Sequence, residues 1–418
     1  MLSIDFIRQN KELVKKEAVE KQLDPKVVDQ LLAIDEERRE LIQKIEVLRQ
    51  QRKTASQKRD IETGKKIKEE LGKLESELKK KEEEYKNLML LVPNISSPDT
   101  PLEDKEIYRW GKKPKFNFPP LSHLELGEKL DLIDLEKGAQ TAGFRGYYLK
   151  NEAAQLHFAL LFYAWQKIIS KGFTPLLVPT ILREFALLGS GHFPFGREDI
   201  YQIANPGKLE SGKSISEPLF LAGTAEPSLL AYFANETLKE EDLPVKVCGW
   251  TQCYRSEVGS YGRDTQGIYR IHEFMKVEQV VLCPDDEKVS DEWLEKMRIY
   301  SEEILRDLKL PYRVIQVGKK EMGAGKRKMY DLETWMPSRQ GYGETHSDSN
   351  LTDWQARRLN IKYKTKKGEI KFVHCLNNTV LASPRILIAV LENFQQKDGS
   401  ILIPKVLQGL IGKKKITR

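Results

Sequence analysis

The sequence lacks most of the features that would mark it as secreted, membrane-bound or built on a familiar phosphate loop. Its 418 residues include only four cysteines (Cys248, Cys253, Cys283, Cys375), and none forms a CxxC pair. That spacing predicts neither a disulfide framework nor a zinc site, and reduced thiols suit a cytoplasmic protein. No stretch approaches the ~18 consecutive apolar residues of a membrane span. The opening MLSIDFIRQNKELVKKE mixes acids and bases and has no apolar signal-peptide core. GxGxxG does not occur, and neither a Rossmann nor a P-loop phosphate site is expected. The net charge is small, +7 from 69 basic and 62 acidic residues. Nucleic acid is therefore permitted as a partner, and the placement of the charge decides.

The first hundred residues differ from the rest. Leu31, Ile34, Arg38, Leu41, Ile45 and Leu48 step by three and four, as do Ile67, Leu71, Leu74, Leu78, Lys81, Tyr85, Leu88 and Val92. Both series are heptad seams. They predict an antiparallel two-helix coiled-coil arm over about residues 28–92, turning at Thr63-Gly64 and reaching roughly 45 Å at ~1.5 Å per residue. The outer part carries Arg49, Arg52, Lys53, Lys58, Arg59, Lys65, Lys66 and Lys68 against Asp60 and Glu62. Composition fits a solvated tip and a phosphate-backbone surface equally well.

VPNISSPDTPLED (92–104) reads as a linker, separating an N-terminal domain (1–104) from a second domain (105–418). In the latter, helical patterns (His157–Ser170, Asp285–Leu308) alternate with β-rich runs: Leu176–Pro179, Val245–Glu257, Gly267–Cys283, Tyr312–Val317 and Ile370–Leu376. The expected class is α+β, an antiparallel sheet flanked by helices.

Within it, CYRSEVGSYGRDTQGIYRIHEFMKVEQV (253–280) poses a problem for a core hairpin. Strand alternation puts Cys253, Arg255 and Glu257 on one side, and Arg270, His272, Phe274, Lys276 and Glu278 on one side of the return strand. A solvent-facing hairpin with cross-strand ion pairs is one explanation. The other is a nucleotide platform, with guanidinium on phosphate, ring on base and carboxylate on an amine. Ser383-Pro384 predicts a helix start, with Ser383 as N-cap, and the apolar residues 386–391 predict that this helix is buried. Arg385 then lies in the first turn, where the helix dipole disfavours a cation, so it needs an anion from a carboxylate or a bound phosphate.

These segments together resemble the seryl-tRNA synthetases of bacterial or organellar type, a class II aminoacyl-tRNA synthetase family. GFTPLLVPTILRE (172–184) resembles motif 1, which in the family builds a dimer interface. CYRSE with GIYRIHEFMKVEQ resembles motif 2, and LNNTVLASPR with LEN resembles motif 3. GTAE (223–226), GSGHFPFGREDIY (189–201) and ETHSDSNLTDWQARRLNIKY (344–363) resemble segments specific to the serine enzymes.

The resemblance implies serine–tRNA ligase activity: seryl-adenylate forms from L-serine and ATP, and the seryl group passes to the 3′ end of tRNA(Ser), with tRNA(Sec) a second expected substrate. It implies a cytoplasmic homodimer whose basic arm grips tRNA. Arg255, Arg385 and Glu344 are the implied catalytic residues. Arg255, Ser256, Glu257, Arg270, Phe274, Glu344, Thr345, His346, Ser347 and Arg385 are implied for ATP. Thr224, Ala225, Glu226, Arg255, Glu278, Asn377 and Thr379 are implied for serine. Glu344 and Ser347 are implied for Mg²⁺, and zinc is not. Thr345-His346 departs from the frequent Ile-Ser, and Asn378-Thr379 from Gly-Ser. His123, His157, His192 and His374 have no ligand or triad spacing and read as structural. Two other readings stand beside the ligase: a relative that charges a carrier protein, and a non-catalytic coiled-coil RNA-binding scaffold.

Overall fold

The computed structural model describes every residue except 206, 209 and 259–266. The chain forms two compact units, Met1–Ile95 and Ser96–Arg418.

In the first unit, two long helices, α1 (Lys26–Gln57) and α2 (Ile61–Leu91), form the expected hairpin. Leu31, Ile34, Leu41, Ile45, Ile67 and Leu71 are buried, so the heptad positions do close the seam. Two polar seam positions are accommodated by pairing: Arg38 stacks on Tyr85 at 4.6 Å, and Lys81 bonds Glu37 at 2.6 Å. Asp35, 1% exposed, is neutralised by Arg8, Arg38 and Arg39. The turn is not at Thr63-Gly64. Lys58–Asp60 make it, and Asp60 caps α2 by accepting from the Thr63 amide and hydroxyl. Thr63 resembles turn chemistry because it belongs to that cap.

The second unit is built on an eight-stranded sheet. Its strands are β1 (Lys105–Trp110), β2 (Thr174–Leu176), β3 (Val245–Tyr254), β4 (Glu273–Cys283), β5 (Tyr312–Gln316), β6 (Lys328–Met336), β7 (Gly341–Asn350) and β8 (His374–Ser383), in the order β1-β5-β6-β7-β8-β4-β3-β2. All pairings are antiparallel except β2 with β3. Helices α3 (Asn151–Ser170), α4 (Glu287–Asp307) and α5 (Arg385–Asn393) share one apolar core with the sheet through Leu160, Met297, Leu387, Val277 and Val281. The α+β class with a helical arm is thus the observed one.

Several boundaries differ from expectation. The motif 2 strands stop at Tyr254 and restart at Glu273, so Arg255, Glu257 and Arg270 lie beyond strand ends and simple alternation does not aim them. The run Ile370–Leu376 is two strands, Ile370–Phe372 and the start of β8. Ser383 is the last residue of β8 and bonds His157 at 2.8 Å; Pro384 occupies the N-cap position. GKLESGKS (Gly207–Ser214) does satisfy the P-loop spacing, yet Lys208 and Ser214 bridge each other and the next regular element is a strand, Leu219–Leu221. Among the described residues, the helix that such a loop needs is missing there. Residues after 95 are tied into the second unit, for instance by the Ser97 amide to the Arg327 carbonyl and the Lys319 amide to the Pro101 carbonyl.

Candidate active site

On the sheet face opposite α3 and α4 lies a cavity of about 240 Å³. Its floor follows from the period-two pleat. Phe274, Lys276 and Glu278 project from β4, while Met275 and Val277 turn toward the helices. Asn377 and Thr379 project alongside from β8, where Thr379 sits opposite Glu278.

Backbone irregularity does the rest. Glu344 and Ser347 are three residues apart on β7, a spacing that puts side chains on opposite faces of a regular strand. The register slips at Thr345, so that Glu344 opposes Glu333 while Ser347 opposes Asp331. Glu333 and Asp331 are two apart on β6, so the bulge brings Glu344 and Ser347 onto one face. A second slip, at Val380 on β8, sits beside the same cavity. Glu257, just past β3, holds φ of +51°, a left-handed conformation uncommon for a residue with a side chain.

The two arginines converge. Arg385, at the first position of α5, bonds the Glu344 carboxylate at 3.2 Å and the Glu344 carbonyl at 3.1 Å, and lies 4.6 Å from the Tyr269 ring centre. The anion that its helix-terminal position calls for is therefore Glu344. Burial works against the Glu344 carboxylate, but the Arg385 and Arg255 guanidiniums outweigh it and hold its pKa below the ordinary value. Arg255 bonds the Gly223 carbonyl at 3.2 Å, with its guanidinium 5.3 Å from the Phe274 ring. Both arginines line the cavity.

A second cluster closes the other end. Lys276 and Glu278, 5% and 2% exposed, pair at 2.6 Å, and Thr379 lies 3.3 Å from each. Glu226, 6% exposed, accepts from Gln355 at 2.6 Å and Asn377 at 2.7 Å. Burial alone would raise the Glu226 pKa, yet Lys326, His192 and Gln355 together keep it low. For Glu278 burial prevails over Lys276 and the pKa is raised.

Of the residues expected from sequence, Arg255, Glu257, Phe274, Glu344, Thr345, His346, Ser347 and Arg385 line this cavity, as do Thr224, Glu226, Glu278, Asn377 and Thr379. Three do not. Arg270 pairs with Glu257 at 3.0 Å and borders an adjoining cavity. Ser256 donates to the Glu198 carbonyl at 2.5 Å, and Ala225 packs in an apolar cluster. Lys276, Lys326, Tyr269 and His192 line the cavity without having been assigned a role. Lys276 stood on the expected strand face, so alternation could have found it. Lys326 lies in an irregular segment with no such signal. His123, His157 and His374 are buried and bonded to Glu392, Ser383 and Ser290, in keeping with structural roles.

The class of protein is fixed by comparison with known families. The class II core domain of the tRNA synthetases (G, H, P, S and T) matches residues 209–394, and the seryl-tRNA synthetase N-terminal domain matches residues 1–96. The serine–tRNA ligase of Deinococcus radiodurans is 40% identical, with 100% of this chain and 99% of that protein covered. The crystal structure of seryl-tRNA synthetase from Pyrococcus horikoshii complexed with ATP superposes with a TM-score of 0.90 at 35% identity, covering 100% of this chain and 99% of that one. Cytoplasmic serine–tRNA ligase from Naegleria fowleri, in complex with AMP, gives 0.88 at 29% identity, with 100% and 99% covered. The chain belongs to the seryl-tRNA synthetase family, within the class II aminoacyl-tRNA ligases.

Proposed function

We propose that this chain joins L-serine to tRNA(Ser) at the expense of ATP, and that the cavity under Arg255 and Arg385 is where it does so. The observation that carries the reading is the convergence of two partly buried arginines, an aromatic ring and four carboxylates, of which Glu226 and Glu278 are buried, on one cavity. A scaffold has no use for that arrangement, because each buried charge costs free energy unless it meets a partner.

In the first step a serine carboxylate oxygen attacks the α-phosphorus of ATP and pyrophosphate leaves. In the second, a ribose hydroxyl of the tRNA 3′ end attacks the acyl carbon and AMP leaves. Such chemistry needs alignment and charge neutralisation more than a protein nucleophile. Arg255 and Arg385 supply fixed positive charge on either side of the phosphate chain, and Phe274 offers a stacking face for adenine. Glu226 and Glu278, both ringed by donors, suit the serine ammonium and hydroxyl. The serine hydroxyl would add a partner for Thr379 and Glu278 that alanine cannot supply, a discrimination of roughly 1–3 kcal/mol per missing partner.

A divalent cation fits the donor set. Glu344 and Ser347 share a face, and next to them Asp331 keeps an oxygen that is shut off from solvent and has no bonding partner. Hard oxygen donors of this kind suit Mg²⁺, with ATP phosphates completing its shell. When bound, the ion supplies neutralisation of the triphosphate charge. Among the described residues, no group of three His, Cys, Asp or Glu side chains could hold a metal unaided.

The exposed arginines and lysines of the arm suit the tRNA backbone. Leu177 (97% exposed), Ile181 (54%) and Phe158 (50%) are apolar side chains turned to solvent, and they suit a second copy of the chain. No described helix is long and apolar enough to cross a membrane. The proposed site of action is the cytoplasm, where free thiols such as the four buried cysteines stay reduced.

The test is serine-dependent ATP–pyrophosphate exchange, followed by charging of tRNA(Ser), with tRNA(Sec) and a carrier protein as separate arms. Exchange and tRNA(Ser) charging are expected. No exchange would refute the reading, and exchange with charging of the carrier alone would replace it with the carrier-protein reading.

A further inference from the structure

Serine carries three polar groups, and Glu226 and Glu278 suit two of them, the ammonium and the hydroxyl. The carboxylate, which makes the attack, has Arg255 to meet it, and Arg255 must at the same moment neutralise the α-phosphate. Two anions driven together need more than one fixed cation between them. Among the described residues lining the first cavity, Arg385 pairs with Glu344, and Lys276 with Glu278 at 2.6 Å. Lys326 is the fourth lysine or arginine of that lining, and neither of those pairs includes it.

The connectivity of an amino acid says where a carboxylate cation must stand. The ammonium nitrogen and the carboxylate carbon are bonded to one carbon and lie roughly 2.5 Å apart. The cation therefore belongs beside the acceptor of the ammonium. That acceptor is Glu226, because Glu278 already holds Lys276. Lys326 and Glu226 together line both the first cavity and the adjoining one. Burial pushes the Glu226 pKa up, and the Lys326 ammonium is the foremost charge that draws it down.

The backbone around Lys326 is fixed. Residues 323–326 form a turn closed by the Lys326 amide on the Gly323 carbonyl at 3.0 Å. A Cβ on Gly325 would lie 2.6 Å from the ring of Trp354, which is 1% exposed, so the turn packs directly on that ring. Next, the Arg327 amide donates to the Asn350 carbonyl at 2.8 Å, and its guanidinium pairs with Glu287 at 2.8 Å. Lys326 is half-buried and anchored on both sides, as a preorganised charge requires.

We infer that Lys326 binds the carboxylate of serine and holds it beside Glu226 while one carboxylate oxygen bonds to the α-phosphorus. Pyrophosphate leaves with the electron pair of the broken P–O bond, and no proton moves. The inference rests on the ligase reading and adds to it a residue that orients the nucleophile.

The experiment compares L-serine with serinol, which keeps the ammonium and a hydroxyl and carries CH₂OH in place of the carboxylate. The readouts are KM for serine in ATP–pyrophosphate exchange and the inhibition constant of serinol against serine. Lys326→Met is expected to raise KM for serine about 10- to 100-fold, the loss of one charge-assisted hydrogen bond, and to leave inhibition by serinol nearly unchanged. Lys326→Arg is expected to keep most of the preference for serine over serinol. Affinity for ATP, measured by equilibrium dialysis, is expected to stay the same in both variants. Equal weakening of serine and serinol in Lys326→Met would mean that the lysine only sustains Glu226, and would overturn the assignment. An unchanged KM for serine, or a parallel loss of ATP affinity, would overturn it too. Absence of serine-dependent exchange in the unmodified protein would instead remove the ligase reading beneath it.

Discussion

The arm and the cavity are made of the same side chains and use them in opposite ways. At the arm's tip Arg49, Arg52, Lys53, Lys58, Arg59, Lys65 and Lys66 are all exposed. In the cavity Arg385 is 18% exposed at its side chain, and Lys276 only 6%. Water screens each tip charge, so one contributes little and the group acts through its sum. Inside the cavity, Lys276 pairs with Glu278 and Arg385 with Glu344, so the loss of one charge strands the other. Binding to tRNA is expected to be additive and salt-sensitive, and activation to hinge on single atoms.

The largest predicted effect follows from that contrast. Arg255→Ala and Arg385→Ala are each expected to slow serine-dependent exchange by about 10²–10³-fold or more, the magnitude typical of losing one preorganised transition-state donor. Steady-state exchange kinetics check this. A Lys replacement at either position should not restore the rate, since it keeps the charge and loses the planar fork. Conversely, neutralising Arg49, Arg52, Lys53 and Lys58 together should leave exchange intact and weaken tRNA binding. The slope of log affinity against log salt should flatten by roughly 0.7–0.9 for each phosphate that the arm no longer neutralises. If exchange falls with the tip neutralised, the division of labour between arm and cavity is wrong.

Next in size is the Lys276–Glu278 pair. Removing the lysine leaves Glu278, 2% exposed, without its cation. Lys276→Met is expected to destabilise the fold by about 3–5 kcal/mol, measured by chemical denaturation, and to raise KM for serine more than for ATP. Lys276→Met combined with Glu278→Gln should recover much of the stability and none of the serine affinity.

Much of this was legible from residues alone, and the failures have one physical origin. Hydrophobic period carries the arm because its seam is apolar at nearly every heptad step. The strands β6 and β7 offer no such signal. YDLETWM and GYGETHSDSN place polar groups on both faces, since one face is the site and the other holds Asp348, buried beneath it. The bulges at Thr345 and Val380 are register events between strands, which no residue type announces. The expectation for the candidate site residues therefore rests on the motif resemblance, while the reason that Glu344 and Ser347 face the same way lies in the register. Arg270 and Ser256 stand apart from the cavity for the complementary reason, lying past strand ends where alternation has no force.

Acid should expose another consequence of burial. Burial pushes the pKa values of His157, His192 and His346 down to about 4. In the unfolded chain each titrates near ~6.5. Between these values the unfolded state binds the proton and the folded state does not, so stability falls as pH drops from about 6.5 toward 4, by up to roughly 1.4 kcal/mol per pH unit per histidine. Denaturation at pH 8, 6 and 5 checks the sign. His157→Gln keeps a partner for Ser383 and should shallow the dependence by one histidine's share.

The smallest effect is the sharpest test of the contrast. Arg49 and Glu75 join the two arm helices at 2.8 Å, a geometry as good as any in the cavity, with side chains 61% and 46% exposed. If short distance decided strength, Arg49→Ala would rival Lys276→Met. Solvation argues otherwise: both groups regain water when the pair opens, and holding two long side chains together costs rotamer entropy. A double-mutant cycle on Arg49 and Glu75 is therefore expected to return about 0.2–1 kcal/mol, shrinking further with added salt. A coupling several times larger would mean that the arm seam is drier than its exposure implies, and that its charges too act singly.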